Sequence, residues 1–481
     1  MDVRITKVNE IYNKIDCEPG IAKEIDFFFS FKVPNYQFMP LYKTGSWDGS
    51  VHLFSLQNRL LYAGLTQYVE KFCQEREYGI EYKSDFSDDS LSKEEIENFI
   101  SSLGLPFSPR DYQIDAFIHA ICKRRSLLIS PTASGKSLII YLITRYLDSR
   151  TLLIVPTTSL VHQMYSDFES YGFDSKKNCH KIYSGEDKDE NKMVTITTWQ
   201  SIYKMPKAWF RKFDVVIGDE AHLFKAKSLT TIMSKLEQCR YRFGFTGTLD
   251  GTQTHKLMLE GLFGPVKKVT TTHELIEQKH LSNFKIKCIL LQHTDEHRKL
   301  LVKKKYAEEM DFIVGLEKRN KFVQDLVLSQ KGNTLLLFQY VEKHGKILYN
   351  SIRQAISKER SIYFVHGGVE GEDRENIRKL VEMDSDAIII ASYGTFSTGI
   401  NIKNLHNIIF ASPSKSRIRN LQSIGRGLRL GENKESCTLF DIADDLSWKT
   451  KRNHTLLHYI ERIKTYNEEK FDVKIFSKKL I

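Results

Sequence analysis

Short apolar runs alternate with longer segments of helical spacing through most of this 481-residue chain, in two successive series. RSLLIS (125–130), TLLIVP (151–156), MVTITT (193–198), DVVIGDE (214–220) and YRFGFTG (241–247) form the first. FKIKCILL (284–291), TLLLFQ (334–339), SIYFVHG (361–367), AIIIAS (387–392), NIIFAS (407–412) and CTLFDIA (437–443) form the second. A strand that is apolar throughout is buried on both faces, as in parallel sheets whose crossover helices cover both sides. The expected fold class is α/β, with two tandem doubly wound parallel-sheet domains. A Lys- and Glu-rich helical stretch covers 297–330, and the amphipathic HTLLHYIERIKTY makes the end of the chain helical. The Ser/Asp/Glu-rich stretch 84–95 lacks helical periodicity and reads as linker. The expected organisation is a small N-terminal α+β domain (1–83), an acidic linker (84–107), two α/β domains (108–280 and 281–445) and a helical tail (446–481).

Charge is uneven along these pieces. The chain carries a formal +11, yet residues 75–97 hold nine acidic against three basic side chains, so the rest stands at +17. A basic body suits a polyanionic partner. Solvated lysines on helix faces account for it equally well, so charge alone leaves the partner open. Seven scattered cysteines with no C-x-x-C pair argue against a zinc module or a disulfide framework and suit a reducing compartment. The N-terminus has no apolar signal core, and no apolar run approaches the ~18 residues of a membrane span; a soluble, intracellular protein without membrane contact is expected.

Three motifs carry chemistry. SPTASGKS (130–137) lies between a strand and a helical segment, the setting in which backbone N–H groups and a helix N-terminus cradle phosphate. Ser130 stands where the general pattern has Gly. Lys136 would reach the β/γ-phosphates of ATP, Ser137 would ligate Mg²⁺, and Gly135 would allow close backbone approach; Thr132 and Ser134 belong to the same loop. GDEAH (218–222) ends a strand, so Asp219 could meet the same Mg²⁺ and Glu220 could orient or deprotonate the attacking water. In QSIGRGLR (422–429), Gln422, Arg426 and Arg429 recur at helical spacing, as arginine fingers over a γ-phosphate would. Alone, each motif has a plainer reading: a chance Gly-Lys-Ser, an exposed acidic turn, a solvated basic helix face. Together they favour one nucleotide site.

These motifs, with RDYQ (110–113), TGT (246–248) and STGIN (397–401), resemble those of superfamily 2 DEAH-type helicases. The resemblance implies RecA-like domains, an ATP-dependent helicase activity, adenine recognition by Gln113, and coupling of hydrolysis to motion through His222, Thr246, Gly247 and Thr248. Such helicases often open the phosphate loop with a small residue, which accommodates Ser130. VPTTSLVHQ (155–163), TTWQS (197–201) and LLLFQY (335–340) match strand-tracking motifs. By position they imply Thr157, Thr158, Thr198, Trp199 and Phe338, with Ser397 and Thr398 of STGIN, as DNA-contact candidates. Thr197 and Thr198 could equally be ordinary β-branched strand residues. Asn401 departs from the Asp common at its position, which puts its coupling role in doubt.

A narrower resemblance covers nearly the whole chain. Residues 26–65, ITTWQSIYKMPKAWF, FGFTGTL and ASYGTFSTGINIKNLHNIIF are similar to helicases of the UvsW type from phage recombination. This implies action on branched DNA: Holliday-junction branch migration, fork regression and D- or R-loop unwinding. The cytoplasm of the infected host cell is the implied location, and a monomer is the default.

The N-terminal domain interleaves Tyr36, Phe38, Tyr42, Lys43, Trp47 and Arg59 around a KTGSWDG turn. Trp47 and Lys43, on an exposed Gly-flanked turn, are the expected DNA contacts; Tyr36 and Phe38 are expected in the core. Lys415, Arg417 and Arg419 could touch phosphates or simply form a surface loop. An RNA helicase shares the motor motifs and differs only in the first domain. A passive binder or strand annealer would need neither a water-activating acid nor a finger.

Overall fold

The computed structural model describes all residues except 34, 35, 84–88, 184–190, 358, 396–401, 403, 431–433, 435 and 481, and omits the side chains of 225, 254, 371 and 418. Two compact units emerge: Met1–Ser130 with Gly135–Val269, and Thr270–Ile481 with Pro131–Ser134.

The first unit begins with a small sheet. Its strands, numbered in chain order, are β1 (Val3–Lys7), β2 (Tyr12–Cys17), β5 (Phe54–Ser55), β6 (Leu60–Tyr62) and β7 (Ile80–Tyr82), while β3 (Ser30–Lys32) and β4 (Ser50–His52) form a separate antiparallel ribbon. The larger sheet runs β5-β6-β2-β1-β7. Alternation in β1 and β2 turns Val3, Ile5 and Ile15 onto a core shared with Ile25, Val69 and Phe72 of helices Pro19–Phe28 and Thr66–Gln74.

Close packing joins this small domain to Arg125 and Glu260 of the same unit. A Cβ on Gly64 would lie 1.9 Å from the Glu260 carbonyl oxygen, so the two backbones approach as only glycine permits. The Tyr68 hydroxyl donates to Glu260 at 2.6 Å, and Arg125 donates to the Glu10 carbonyl at 2.7 Å. Gly64→Ala is expected to lower stability by about 1–3 kcal/mol through overpacking, measured as a shift in denaturation midpoint.

β8 (Arg125–Ile129), β9 (Thr151–Val155), β10 (Cys179–Ile182), β11 (Val194–Thr198), β12 (Val215–Asp219), β13 (Tyr241–Thr246) and β14 (Val266–Lys268) build a parallel sheet of order β10-β11-β9-β12-β13-β8-β14. Every residue of β9, β11 and β12 is buried, as expected of apolar runs covered on both sides. Within the stretch read as linker, Lys93–Ser102 is a helix. Its Ser92–Glu95 capping box is present in the sequence and offsets the acidic composition that suggests a linker.

The second unit repeats the plan. β15 (Asn283–Gln292), β16 (Thr334–Phe338), β17 (Ile362–Val365), β18 (Ile388–Ser392), β19 (Asn407–Phe410), β20 (Ser436–Asp445) and β21 (Asp472–Lys479) form a parallel sheet of order β17-β18-β16-β19-β20-β15-β21. The tail supplies the expected helix, His454–Glu468, and then returns as β21 along β15. That last strand is largely exposed and is held by its backbone ladder, so no apolar alternation announces it. The fold is thus α/β, two tandem RecA-like parallel-sheet domains with a small N-terminal α+β domain, and the expected helical tail is a helix followed by an edge strand.

Candidate functional site

In the first unit β13 lies between β8 and β12, with Thr246 opposite Ile129 and Phe245 opposite Asp219. The register brings the phosphate-loop sequence, the acidic pair and the TGT stretch out at adjacent strand ends on the carboxyl edge of one sheet. Ligands of open α/β sheets collect along that edge.

Ser130 is fully buried and donates its N–H to the Thr246 carbonyl at 2.9 Å. Ala133 and Gly135 take positive φ, +65° and +80°, the kind of turn that folds a backbone into an anion-binding concavity. The Ser134 hydroxyl donates to the Pro131 carbonyl at 2.7 Å and so braces the loop; Thr132 is half-buried. A Cβ on Gly135 would stand 2.3 Å from Gln113 Nε2, so the Gln113 side chain lies directly against the loop. Gln113 Oε1 also accepts from the Arg110 N–H at 2.9 Å, which orients it. Lys136 and Ser137 open helix Lys136–Leu147. The Ser137 and Tyr171 hydroxyls are hydrogen-bonded at 2.8 Å; no spacing pattern in the sequence points to Tyr171.

Lys136 Nζ lies 3.3 Å from Glu220 Oε1 and 3.8 Å from Asp219 Oδ1. Burial pushes the Asp219 carboxyl up from its ordinary value, and the more distant Lys136 offsets this only in part. Burial acts on Glu220 in the same sense, but Lys136 and His222 together outweigh it and hold that carboxyl down at about 2. Glu220 also has φ +50°, a left-handed backbone rare outside glycine. The donor set of a hydroxyl and a carboxylate, with a lysine between the acids, fits a Mg²⁺-bound triphosphate: hard oxygen ligands for the metal and a cation for the phosphates.

His222 joins this acid pair to the TGT stretch. Its Nδ1 is 3.3 Å from Glu220 Oε2 and 3.1 Å from Thr246 Oγ1, and the Thr246 hydroxyl donates onward to the Thr248 carbonyl at 2.9 Å. Since that hydroxyl spends its proton on Thr248, it accepts from His222. His255 braces the arrangement, with Nε2 3.0 Å from the His222 carbonyl and Nδ1 2.8 Å from Asp250, a link the motifs do not indicate. His222→Ala leaves Glu220 and Thr246 each short of a partner.

The strand-tracking candidates of this unit occupy the other half of the same edge, after β9 and β11. Thr157 caps helix Thr158–Ser170, accepting from the Leu160 N–H, and is half-buried; Thr158 is exposed. Thr198 is buried with its hydroxyl 3.0 Å from that of Ser201, whereas Trp199 is partly accessible.

In the second unit Gln422 and Arg426 lie on helix Arg417–Gly427, and Arg429 falls just beyond its end. Lys434, itself buried, donates to the Gly427 carbonyl at 2.5 Å and the Arg429 carbonyl at 2.9 Å, and so closes the helix end. The Phe338 side chain, expected along the nucleic-acid path, is fully buried and stacked on Phe364. It terminates an apolar strand, so its ring belongs to the core; the exposed residue there is Gln339. Ser397, Thr398 and Asn401 lie outside the described residues.

Two N-terminal candidates differ from expectation in exposure. Phe38, expected in the core, is 69% exposed, alongside Leu41 at 62%. Trp47, expected to be free, is half-buried and donates its indole N–H to the Ser50 carbonyl at 2.7 Å. The reason is the length of the β3–β4 connection. Tyr36 and Tyr42 pack edge to face at 4.7 Å and Lys32 lies over Tyr36, so the loop builds a small aromatic hub of its own. Phe38, Leu41 and the exposed Lys43 are left on its outside.

Comparisons with known proteins match residues 2–83 to the family "DNA helicase UvsW, N-terminal", 106–251 to "Type III restriction enzyme, res subunit" and 317–431 to "Helicase conserved C-terminal domain". The chain is 36% identical to the ATP-dependent DNA helicase uvsW of Enterobacteria phage T4, covering 98% of both chains. It is 26% identical to the DNA 3'-5' translocase XPB2 of Sulfurisphaera tokodaii, over 69% of this chain and 82% of that one. The crystal structure of T4 UvsW superimposes with a TM-score of 0.53 at 34% identity, each chain fully covered.

Proposed function

Because the chain belongs to the UvsW family of ATP-dependent DNA helicases, we propose that it works on branched DNA, migrating Holliday junctions, regressing forks and unwinding D- and R-loops as a monomer in the infected cell's cytoplasm. The observation that carries this reading is the N-terminal domain. It matches the UvsW-specific family and is fixed to the first motor lobe through Gly64, Tyr68 and Glu260, so whatever duplex it holds moves with that lobe. The loop outside β3–β4 offers Phe38, Leu41 and Tyr42 beside Lys43, a combination that stacks on unpaired bases while meeting a phosphate. Among the described residues no helix is long and apolar enough to cross a membrane.

At the motor, Lys136 would bind the β/γ-phosphates, Ser137 and Asp219 would hold the metal, Gln113 would read the adenine and Glu220 would take the proton of the attacking water. Bound Mg²⁺ supplies charge neutralisation of the phosphates. Lys136 Nζ stands 3.3 Å from Glu220 Oε1, so a phosphate that draws Lys136 changes the charge facing the base. His222 and Thr246 relay that change along the sheet edge toward Thr158 and Trp199. Arg426 and Arg429 act as fingers on the γ-phosphate charge that develops in hydrolysis, with Gln422 on the same helix as Arg426.

The reading is tested by comparing ATPase stimulation and strand displacement on forks, D-loops, R-loops and linear duplexes of DNA and of RNA. Strong stimulation by DNA with preference for branched substrates is expected. Stimulation by RNA alone would replace this reading with an RNA remodelling activity.

A further inference from the structure

The C-terminal helix His454–Glu468 lies beyond the matched helicase region, which ends at residue 431, yet its buried residues reach the segment that leads into the arginine helix. Arg462, almost fully buried, donates from Nε and Nη2 to both oxygens of Asp441 on β20, at 2.8 Å each, and Tyr466 donates to the same carboxylate at 2.8 Å. The guanidinium's remaining arm, Nη1, donates to the Ser414 carbonyl at 2.9 Å. Ser414 belongs to the short run between β19 and helix Arg417–Gly427, and the buried Tyr393 hydroxyl holds the start of that run at the Ser412 carbonyl, 2.9 Å away.

A second tie lies at the surface. Arg417, the first residue of the arginine helix, pairs with Glu468 and with Glu469 at 3.6 Å, at the far end of the tail helix. One tie is buried and bidentate, the other solvent-exposed, and both fix the same end of one helix. By contrast the buried side chain of Asn420 on that helix makes no hydrogen bond among the described residues.

We infer that the tail helix is a strut for the arginine helix, and that Arg462, Arg417, Glu468 and Glu469 are positioning residues that set where Gln422 and Arg426 stand during ATP hydrolysis. This rests on the assignment of Arg426 to hydrolysis. A finger displaced by about 1 Å can lose about 10²-fold in rate without losing the ligand, so the tail acts on turnover rather than on affinity.

The surface tie allows a test that leaves the core untouched. Arg417→Glu alone, and Glu468→Arg with Glu469→Arg, are each expected to lower kcat of the DNA-stimulated ATPase about three- to tenfold, with KM for ATP and Tm unchanged. The triple variant combining them restores kcat, because the pair re-forms with its charges exchanged. Arg462→Lys keeps the charge but loses the fork that joins Asp441 to Ser414, and is expected to lose about ten- to a hundredfold in kcat. If Arg462→Lys does not fold, the surface variants decide. The inference is overturned if the half-exchanged variants keep full kcat, if the triple variant does not recover, or if kcat falls only together with Tm. Full hydrolysis by Arg426→Ala would instead sink the assignment of Arg426.

Discussion

Replacing Glu220 with Gln is expected to give a protein that binds ATP and DNA but turns over about 10²–10⁴-fold more slowly. The amide has the shape of the carboxylate, so it can sit beside Lys136 and His222 at the same strand end and the strained backbone there need not change. What is lost is the base. Nucleotide binding measured by titration, set beside single-turnover hydrolysis, separates the two. Unchanged turnover would remove Glu220 from the chemistry and leave its pairing with Lys136 as a structural contact only.

Arg426→Ala has the other large expected effect, a loss of about 10³–10⁵ in the rate of hydrolysis, or roughly 4–7 kcal/mol of barrier. A finger stabilises charge that develops in the transition state, so nucleotide affinity should stay within severalfold. A large loss of binding in the same titration would mean that Arg426 positions the bound nucleotide and is not a finger. Gln422 shares its helix and should show a smaller loss of the same kind.

The motor domains are legible in the sequence because their signals are local. A run such as TLLIV can be satisfied only inside a covered sheet, and Lys136 and Asp219 sit where a loop-to-helix turn and a strand end must place them. Motif matching names His222 and Thr246, but their contact and the distance to Glu220 come from strand register, which spacing in the chain does not fix. Phe338 matches a tracking motif and also ends an apolar run, and the burial of its ring follows the run. Phe38 fails in the opposite sense: an aromatic residue usually goes inside, but here Tyr36 packs edge to face on Tyr42 and Phe38 is left in solvent. The Tyr68–Glu260 tie spans 192 residues, and neither residue type announces a long-range partner. The strand β21 escapes a pattern search because KIFSKK pairs through its backbone with most side chains in solvent.

The central claim is that hydrolysis at the edge of the first sheet moves branched DNA. Its most direct test is a synthetic four-way junction with mobile homologous arms, incubated with the wild-type protein or Glu220→Gln, with and without ATP and Mg²⁺. The wild type should resolve the junction into duplex products only when both are present, while Glu220→Gln should bind the junction as tightly and leave it intact. Resolution without ATP, or full resolution by Glu220→Gln, would contradict the claim.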